Sequence, residues 1–242
     1  MKKEGTPTGK KSVRIIVLIT TYNRPDLLLD LLKSIKRELS CFRVKIYNDG
    51  STLSYEKVTD YLRDNIEDYY YVKMPHGGKR GFWRLHQVMY KEMMSEKYEY
   101  FVQTLDDMLF VEDFEKKAIS QFHECGAELL NIIHPDGLID YMTREGYKSE
   151  KINGNIYWGR PWLDLCFITT KRYLERMNHT CPKVSDQWFN RKKHTSSGVS
   201  TAITHEYRRK GGTIKVVDRS LLIHTGEVSQ MNTYKVPYKS RL

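Results

Sequence analysis

Long hydrophobic runs are missing from this chain of 242 residues. No stretch approaches the roughly 18 to 20 consecutive apolar residues that a membrane-spanning helix needs. The opening, "MKKEGTPTGKKS", also lacks the apolar middle of a secretion signal. Both absences point to a cytoplasmic protein. Cysteine is scarce as well: Cys41, Cys125, Cys166 and Cys181 are scattered without the close pairing of a zinc site or a disulfide framework, so reduced, structural thiols are expected. Internal repeats and low-complexity linkers are absent, which leaves one domain as the economical reading. Negative charge is in deficit, with 40 Lys and Arg against 30 Asp and Glu and a net charge of +10. That surplus favours an anionic partner, whether nucleotide, nucleic acid, phospholipid headgroup or acidic glycan, without choosing among them.

A hydrophobic content of 40% is enough for a real core. Residues 1–12 read as a flexible basic tail, and folding begins at "VRIIVLITTYN", a β-branched apolar run suited to a strand buried on both faces. "RPDLLLDLLKSIKREL" follows with leucines at helical spacing and Pro25 in the first turn. "FRVKIYNDGS" and "YYYVKMP" read as strands, with "SYEKVTDYLRDNIEDY" a helix between them. "HGGKRGFW" reads as a Gly-rich basic loop, "RLHQVMYKEMMSE" as the helix after it, and "YFVQTL" as a further strand. Strand alternating with helix predicts an α/β fold with a wound, mainly parallel sheet flanked by helices. Further on, "AELLNIIHP" and "LDLCFITTKRYLERM" read as strand and strand-to-helix, "GVSTAITHEYRRKG" as a helix, and "GTIKVVDRSLLIHTG" as a late strand or hairpin.

Three strands end in chemically capable residues: Thr20 to Arg24, Asn48 to Ser51, and Asp106 with Asp107. In an open α/β sheet ligands bind beyond the carboxyl ends of the strands, so a parallel sheet would gather these groups on one edge. Adjacent carboxylates repel and call for a counter-ion; a hard divalent cation that completes its shell with substrate phosphates suits them. Gly78, Lys79 and Arg80 would bring amides and cations to the same phosphates, although the stretch matches neither the Walker nor the dinucleotide fingerprint. A solvated turn or helix cap is the plainer explanation of a paired aspartate taken alone. Together, the order and placement of these motifs suggest a nucleoside diphosphate site.

"IIVLITTYNRPDLLLDLLKSI", "VKIYNDGST" and "YFVQTLDDM", taken in that order, resemble the opening of the GT-A-fold glycosyltransferases. The likeness is to the large inverting family that includes cellulose, chitin and hyaluronan synthases and many bacterial and viral sugar transferases, and it spans Val13 to Phe114. It implies that Thr20, Tyr22 and Arg24 bind nucleobase and ribose, that Asp49 hydrogen-bonds the base, and that Asp106 contacts ribose while Asp107 holds Mn²⁺ or Mg²⁺ on the diphosphate. The family's third acidic position aligns with Met108, a departure that leaves open which aspartate is the ligand. "VSDQWFNR" resembles the segment with the catalytic carboxylate and makes Asp186 the general base, its rival reading being a helix N-cap. "LLIHTGEVSQMN" resembles a late strand ending in a metal-ligating histidine, here His224, which is otherwise a strand-rim residue. Trp158, Arg160 and Trp162 would line an acceptor site, or the tryptophans are core.

The resulting expectation is a metal-dependent, inverting transfer of a sugar from a UDP-linked donor. The acceptor is a glycan or lipid-linked saccharide, with the basic surface meeting a membrane headgroup layer, or a hydroxymethylated DNA base, as in viral enzymes that decorate their genome. A nucleotidyltransferase would carry its glycine-rich signature directly after the first strand, where "TTYNRPD" stands. A non-catalytic module that kept the fold and lost a ligand is the remaining alternative.

Overall fold

The computed structural model describes residues 13–134, 142–159, 163, 165–190 and 197–226. The expected alternation is present: β1 (Val13–Thr21), α1 (Pro25–Glu38), β2 (Phe42–Asn48), α2 (Glu56–Asn65), β3 (Tyr69–Lys73), α3 (Gly78–Glu92) and β4 (Tyr98–Leu105). The second half adds β5 (Met108–Phe110), α4 (Phe114–Cys125), β6 (Leu129–Asn131), β7 (Ser149–Ile152), β8 (Asn155–Gly159), β9 (Phe167–Thr169) and α5 (Lys171–Arg176). It ends with α6 (Asp186–Asn190), α7 (Val199–Arg209), β10 (Ile214–Val217) and β11 (Leu222–His224). Among the described residues no helix is long and apolar enough to cross a membrane.

Among the described residues nine strands form one sheet in the order β3-β2-β1-β4-β9-β6-β10-β8-β7. The ladders among β3, β2, β1 and β4 are parallel; beyond them only β9 and β8 run against the rest, so the sheet is mostly parallel. The uninterrupted apolar run of β1 is explained by its two buried faces. Ile15, Val17 and Ile19 pack with Leu28, Leu31 and Leu32 of α1 and with residues of α2 and α4. Ile16 and Leu18 pack on the other side with Phe82, Leu85 and Met89 of α3 and with residues of α5 and α7. The molecule is a single α/β domain of helix, sheet and helix layers.

Two local expectations change. The basic Gly-rich stretch is not a free loop, because α3 already begins at Gly78 and takes Lys79, Arg80 and Gly81 into its first turn. The carboxylate of Asp49 is the reason: it accepts the amides of Gly77 (2.7 Å) and Gly78 (3.1 Å), the otherwise unmet donors of a helix start. "GTIKVVDRSLLIHTG" does not fold as a hairpin. Its first half, β10, pairs with β6 and β8, while β11 leaves to pair antiparallel with β5, which sets His224 against Met108.

Candidate active site

Strand register makes the edge. Thr21 stands beside Asn48, Thr20 beside Leu105, and Asn48 beside Lys73, so the segments after β1, β2, β3 and β4 leave the sheet together. On that edge lie Tyr22 to Arg24, Asp49 to Ser51, His76 to Gly78, and the turn of Asp106 and Asp107.

The two aspartates are buried and differently partnered. Asp106 Oδ2 accepts the Thr21 hydroxyl at 2.8 Å and the Tyr22 amide at 3.4 Å, and its Oδ1 lies 3.2 Å from the Arg24 guanidinium. Asp107 Oδ2 accepts from the same Arg24 nitrogen and lies 3.3 Å from His224 Nε2. Burial moves the Asp106 carboxyl well above the ordinary carboxylate range; Arg24 offsets part of the rise and the neighbouring Asp107 adds to it. Burial also pushes Asp107 up, but His224 and Arg24 outweigh it and hold the group below its ordinary value.

Among the described residues Asp107 Oδ1 is buried and meets no hydrogen-bond donor. An orphaned carboxylate oxygen beside an imidazole is a donor set that suits a hard divalent cation. Among the described residues no cluster of three or more His, Cys, Asp or Glu surrounds a metal position. Asp107 and His224 would therefore hold such an ion only with oxygens from diphosphate or water. The backbone keeps this corner tight: a Cβ on Gly226 would lie 2.6 Å from Asp107 Oδ2. Met108 points into the core at 4% exposure and supplies no ligand, consistent with its apolar side chain.

Beside the aspartates, Tyr22 stacks on His76, their rings 4.4 Å apart at 17°. The His76 ring also hydrogen-bonds the Asp49 carbonyl through Nδ1 at 2.8 Å. Gly50 permits that approach, since at φ +70° it passes so close that a Cβ would sit 2.5 Å from the His76 amide nitrogen. Asp49 is brought to this corner, with both carboxylate oxygens already accepting the Gly77 and Gly78 amides. Arg80 reaches from α3 to α6, 4.0 Å from Asp186 Oδ1 and 5.2 Å from the centroid of the Phe189 ring. Asp186 opens α6 with its side chain 74% exposed.

Not every expected residue converges. Thr20 is buried at the end of β1, but Thr21, one residue on and therefore facing the other side, is the one that touches Asp106. Trp158 lies on β8, four strands from β4 and so roughly 19 Å across the sheet; its indole donates to Asp218 Oδ1 at 3.4 Å. Arg160 and Trp162 lie outside the described residues. The residues that sequence reasoning passed over are Thr21, His76 and Tyr55, whose hydroxyl is 2.7 Å from Thr21 Oγ1. Alternation along β1 could have pointed to Thr21; the other two are joined only by long-range packing.

No family model matches the chain, and no curated protein matches it in sequence. Solved structures do match in shape. The crystal structure of S. aureus TarS 1–349 superposes with a TM-score of 0.59 at 16% identity, covering 88% of this chain and 60% of that one. The same part of TarS in complex with UDP gives a TM-score of 0.58 at 16% identity, over 87% of this chain and 60% of that one. The mannosyltransferase PcManGT from Pyrobaculum calidifontis, in complex with GDP-Man and Mn²⁺, gives 0.54 at 14% identity, over 89% and 60%. The chain thus spans about 60% of the length of these solved chains, and 37% of the longer TarS chain, and the likeness is one of fold.

Proposed function

We propose that this protein is a metal-dependent glycosyltransferase that moves a sugar from a nucleoside diphosphate sugar, UDP-linked, to an acceptor hydroxyl with inversion. The observation that carries the reading is the buried pair Asp106 and Asp107 at the end of β4, facing Arg24 and His224 on the edge where an open α/β sheet binds its ligands. The fold it shares with TarS, solved with UDP, and with PcManGT, solved with GDP-Man and Mn²⁺, supports it. So does the orphaned oxygen of Asp107.

In this reading Tyr22 forms the floor for base and ribose, and Asp49 fixes the turn that sets His76 against Tyr22. Asp106 faces the ribose; Asp107 and His224 would hold Mn²⁺ or Mg²⁺. When bound, that ion supplies positive charge to the departing diphosphate. Lys79 and Arg80 add cationic support on the same side, while the Gly77 and Gly78 amides are taken by Asp49. Asp186 takes the proton of the acceptor hydroxyl as its oxygen attacks the anomeric carbon opposite the leaving nucleotide. The basic balance of the chain favours a phosphate-bearing acceptor, a hydroxymethylated base in DNA, over a neutral saccharide.

Thermal unfolding with a panel of nucleoside diphosphates, with and without Mn²⁺, tests the donor site. A ligand at about 100 times its Kd adds roughly 2.7 kcal/mol, a shift of several degrees in a domain of this size. A shift with UDP that needs both Mn²⁺ and Asp107, and is lost in Asp107→Ala, is expected. No shift with any nucleotide would leave a binding module with this fold. Asp186→Asn is expected to keep the shift and lower transfer by about 10² to 10⁴-fold; a normal rate would remove Asp186 from the role.

A further inference from the structure

The place of Arg24 carries more than a contact. Its backbone is fixed: its amide donates to the Tyr55 hydroxyl at 3.1 Å, and Asn23 before it adopts a left-handed φ of 52°. The Asn23 amide is tied to Ser51 Oγ at 2.8 Å, and its side-chain oxygen accepts the Thr52 amide at 2.8 Å. Pro25 follows as the first residue of α1. Only the Arg24 side chain is left to swing.

That side chain is 13% exposed and reaches both carboxylates, which are themselves 7% and 8% exposed. Two buried neighbouring carboxylates need a cation, and the guanidinium supplies it. Yet it does so at Asp107 Oδ2, the oxygen that also faces His224, while Oδ1 has no donor among the described residues. A divalent cation that takes Asp107 Oδ1 together with His224 therefore lands on a carboxylate whose other oxygen already holds the Arg24 guanidinium, and the two cations contend for one carboxylate. Charge decides the order of events. Two carboxylates with Arg24 alone carry a net −1; adding a divalent cation gives +1, which is unfavourable at low exposure unless an anion arrives with it.

We propose that Arg24 is a built-in stand-in cation of this site: it holds Asp106 and Asp107 in the absence of metal, yields Asp107 to a divalent cation, and then turns on its fixed backbone to the donor's diphosphate. This rests on the reading of the edge as a metal and diphosphate site. Metal and nucleoside diphosphate consequently bind cooperatively, and Arg24 is the residue that couples them.

The test is Mn²⁺ binding followed by the electron paramagnetic resonance of the free ion, in wild type, Arg24→Met and Arg24→Lys, with and without UDP. Without nucleotide, Arg24→Met is expected to bind Mn²⁺ tighter than wild type by about tenfold or more, and UDP is expected to tighten Mn²⁺ in wild type far more than in the variant. Arg24→Lys, a point charge that cannot fork between both carboxylates, is expected to fall between them. If Arg24→Met folds only when Mn²⁺ is added, the stand-in role is supported, and the Mn²⁺ order is then read from Arg24→Lys against wild type. Equal or weaker Mn²⁺ binding in the folded variants without nucleotide, or no Mn²⁺ binding in any form, overturns the proposal. UDP failing to bind every form while the Mn²⁺ order holds would sink the donor reading and leave the exchange of cations at Asp107 standing.

Discussion

His86 is a buried group that folding must keep uncharged. It lies wholly inside the layer between α3 and the sheet, edge-on to Phe82 and Tyr90, with Nδ1 3.1 Å from the Phe82 carbonyl and Nε2 facing no partner. Burial lowers its pKa to about 4, the Phe82 carbonyl opposing only part of the shift. Above the ordinary histidine value near 6.5 both folded and unfolded chains are neutral here. As pH falls from there towards 4, the unfolded chain takes up a proton that the folded one refuses, so stability drops by roughly 3 kcal/mol on this account. Denaturant titrations from pH 7 to pH 4 are expected to show a shallower loss in His86→Leu than in wild type; equal slopes would exclude His86 as the cause. Asp106 works with the opposite sign. Its raised carboxyl contributes stability that is present at low pH and lost as pH rises through the raised value. Asp106→Asn, which keeps an oxygen for the Thr21 hydroxyl, is therefore expected to raise the Tm of the metal-free protein at pH 8 and to leave it nearer wild type at pH 5.

At the scale of elements, the short ladder of β5 and β11 does what its length conceals. Three residue pairs bring His224 to the aspartates, and Thr225 then closes on Asp107, its amide 2.8 Å from the Asp107 carbonyl. Gly226 follows where no side chain fits, with a Cβ falling 2.6 Å from Asp107 Oδ2 and 2.8 Å from its Cβ. Gly226→Ala is expected to push the buried carboxylate away from His224 and Arg24, weakening Mn²⁺ binding and lowering the metal-free Tm as well, because an ion pair inside the fold is disturbed. Calorimetric titration beside a melting curve checks both halves; unchanged Mn²⁺ affinity would show that the carboxylate can yield without cost. The long elements of this edge were legible in sequence because their signals are local: the apolar run of β1, the leucine stripe of α1, the Asn48 to Gly50 turn. The three-residue strands β5 and β11 show no period to read, and the hairpin of β7 and β8 is exposed along much of β7 and so only weakly patterned. In the site, the paired aspartates and His224 were legible as types at strand ends. That Arg24 would bridge the pair, or that Asp49 would be spent on the start of α3, depends on contacts between residues 82 or 83 positions apart, and 28 or 29, which no local pattern encodes.

Across the whole molecule the net charge of +10 is not spread as bare cations. Several basic side chains are tied to carboxylates: Arg43 to Asp68 and Glu96, Lys45 to Glu96 and Arg176 to Glu128 between elements, and Arg209 to Glu206 within α7. Cations tied up in this way leave others to set the outer field. On α3, Arg80 and Arg84 stand one turn apart on the surface, and Gln87, almost a turn further, receives the Cys181 amide at 3.0 Å. The exposed Lys183 and Asp186 follow along that flank. A polyanionic acceptor laid here would pass Asp186 while its phosphates meet Arg84 and Lys183. Duplex DNA is accordingly expected to bind with an affinity that falls steeply with salt, each neutralised phosphate adding about 0.9 to the log–log slope. The double variant Arg84→Glu, Lys183→Glu should weaken DNA of any sequence alike and reduce that slope by about 2, with UDP affinity unchanged. Fluorescence anisotropy over a series of salt concentrations measures it. Binding that is insensitive to salt, or a slope untouched by the double variant, would take the phosphate-bearing acceptor off this flank and return the acceptor to a neutral saccharide.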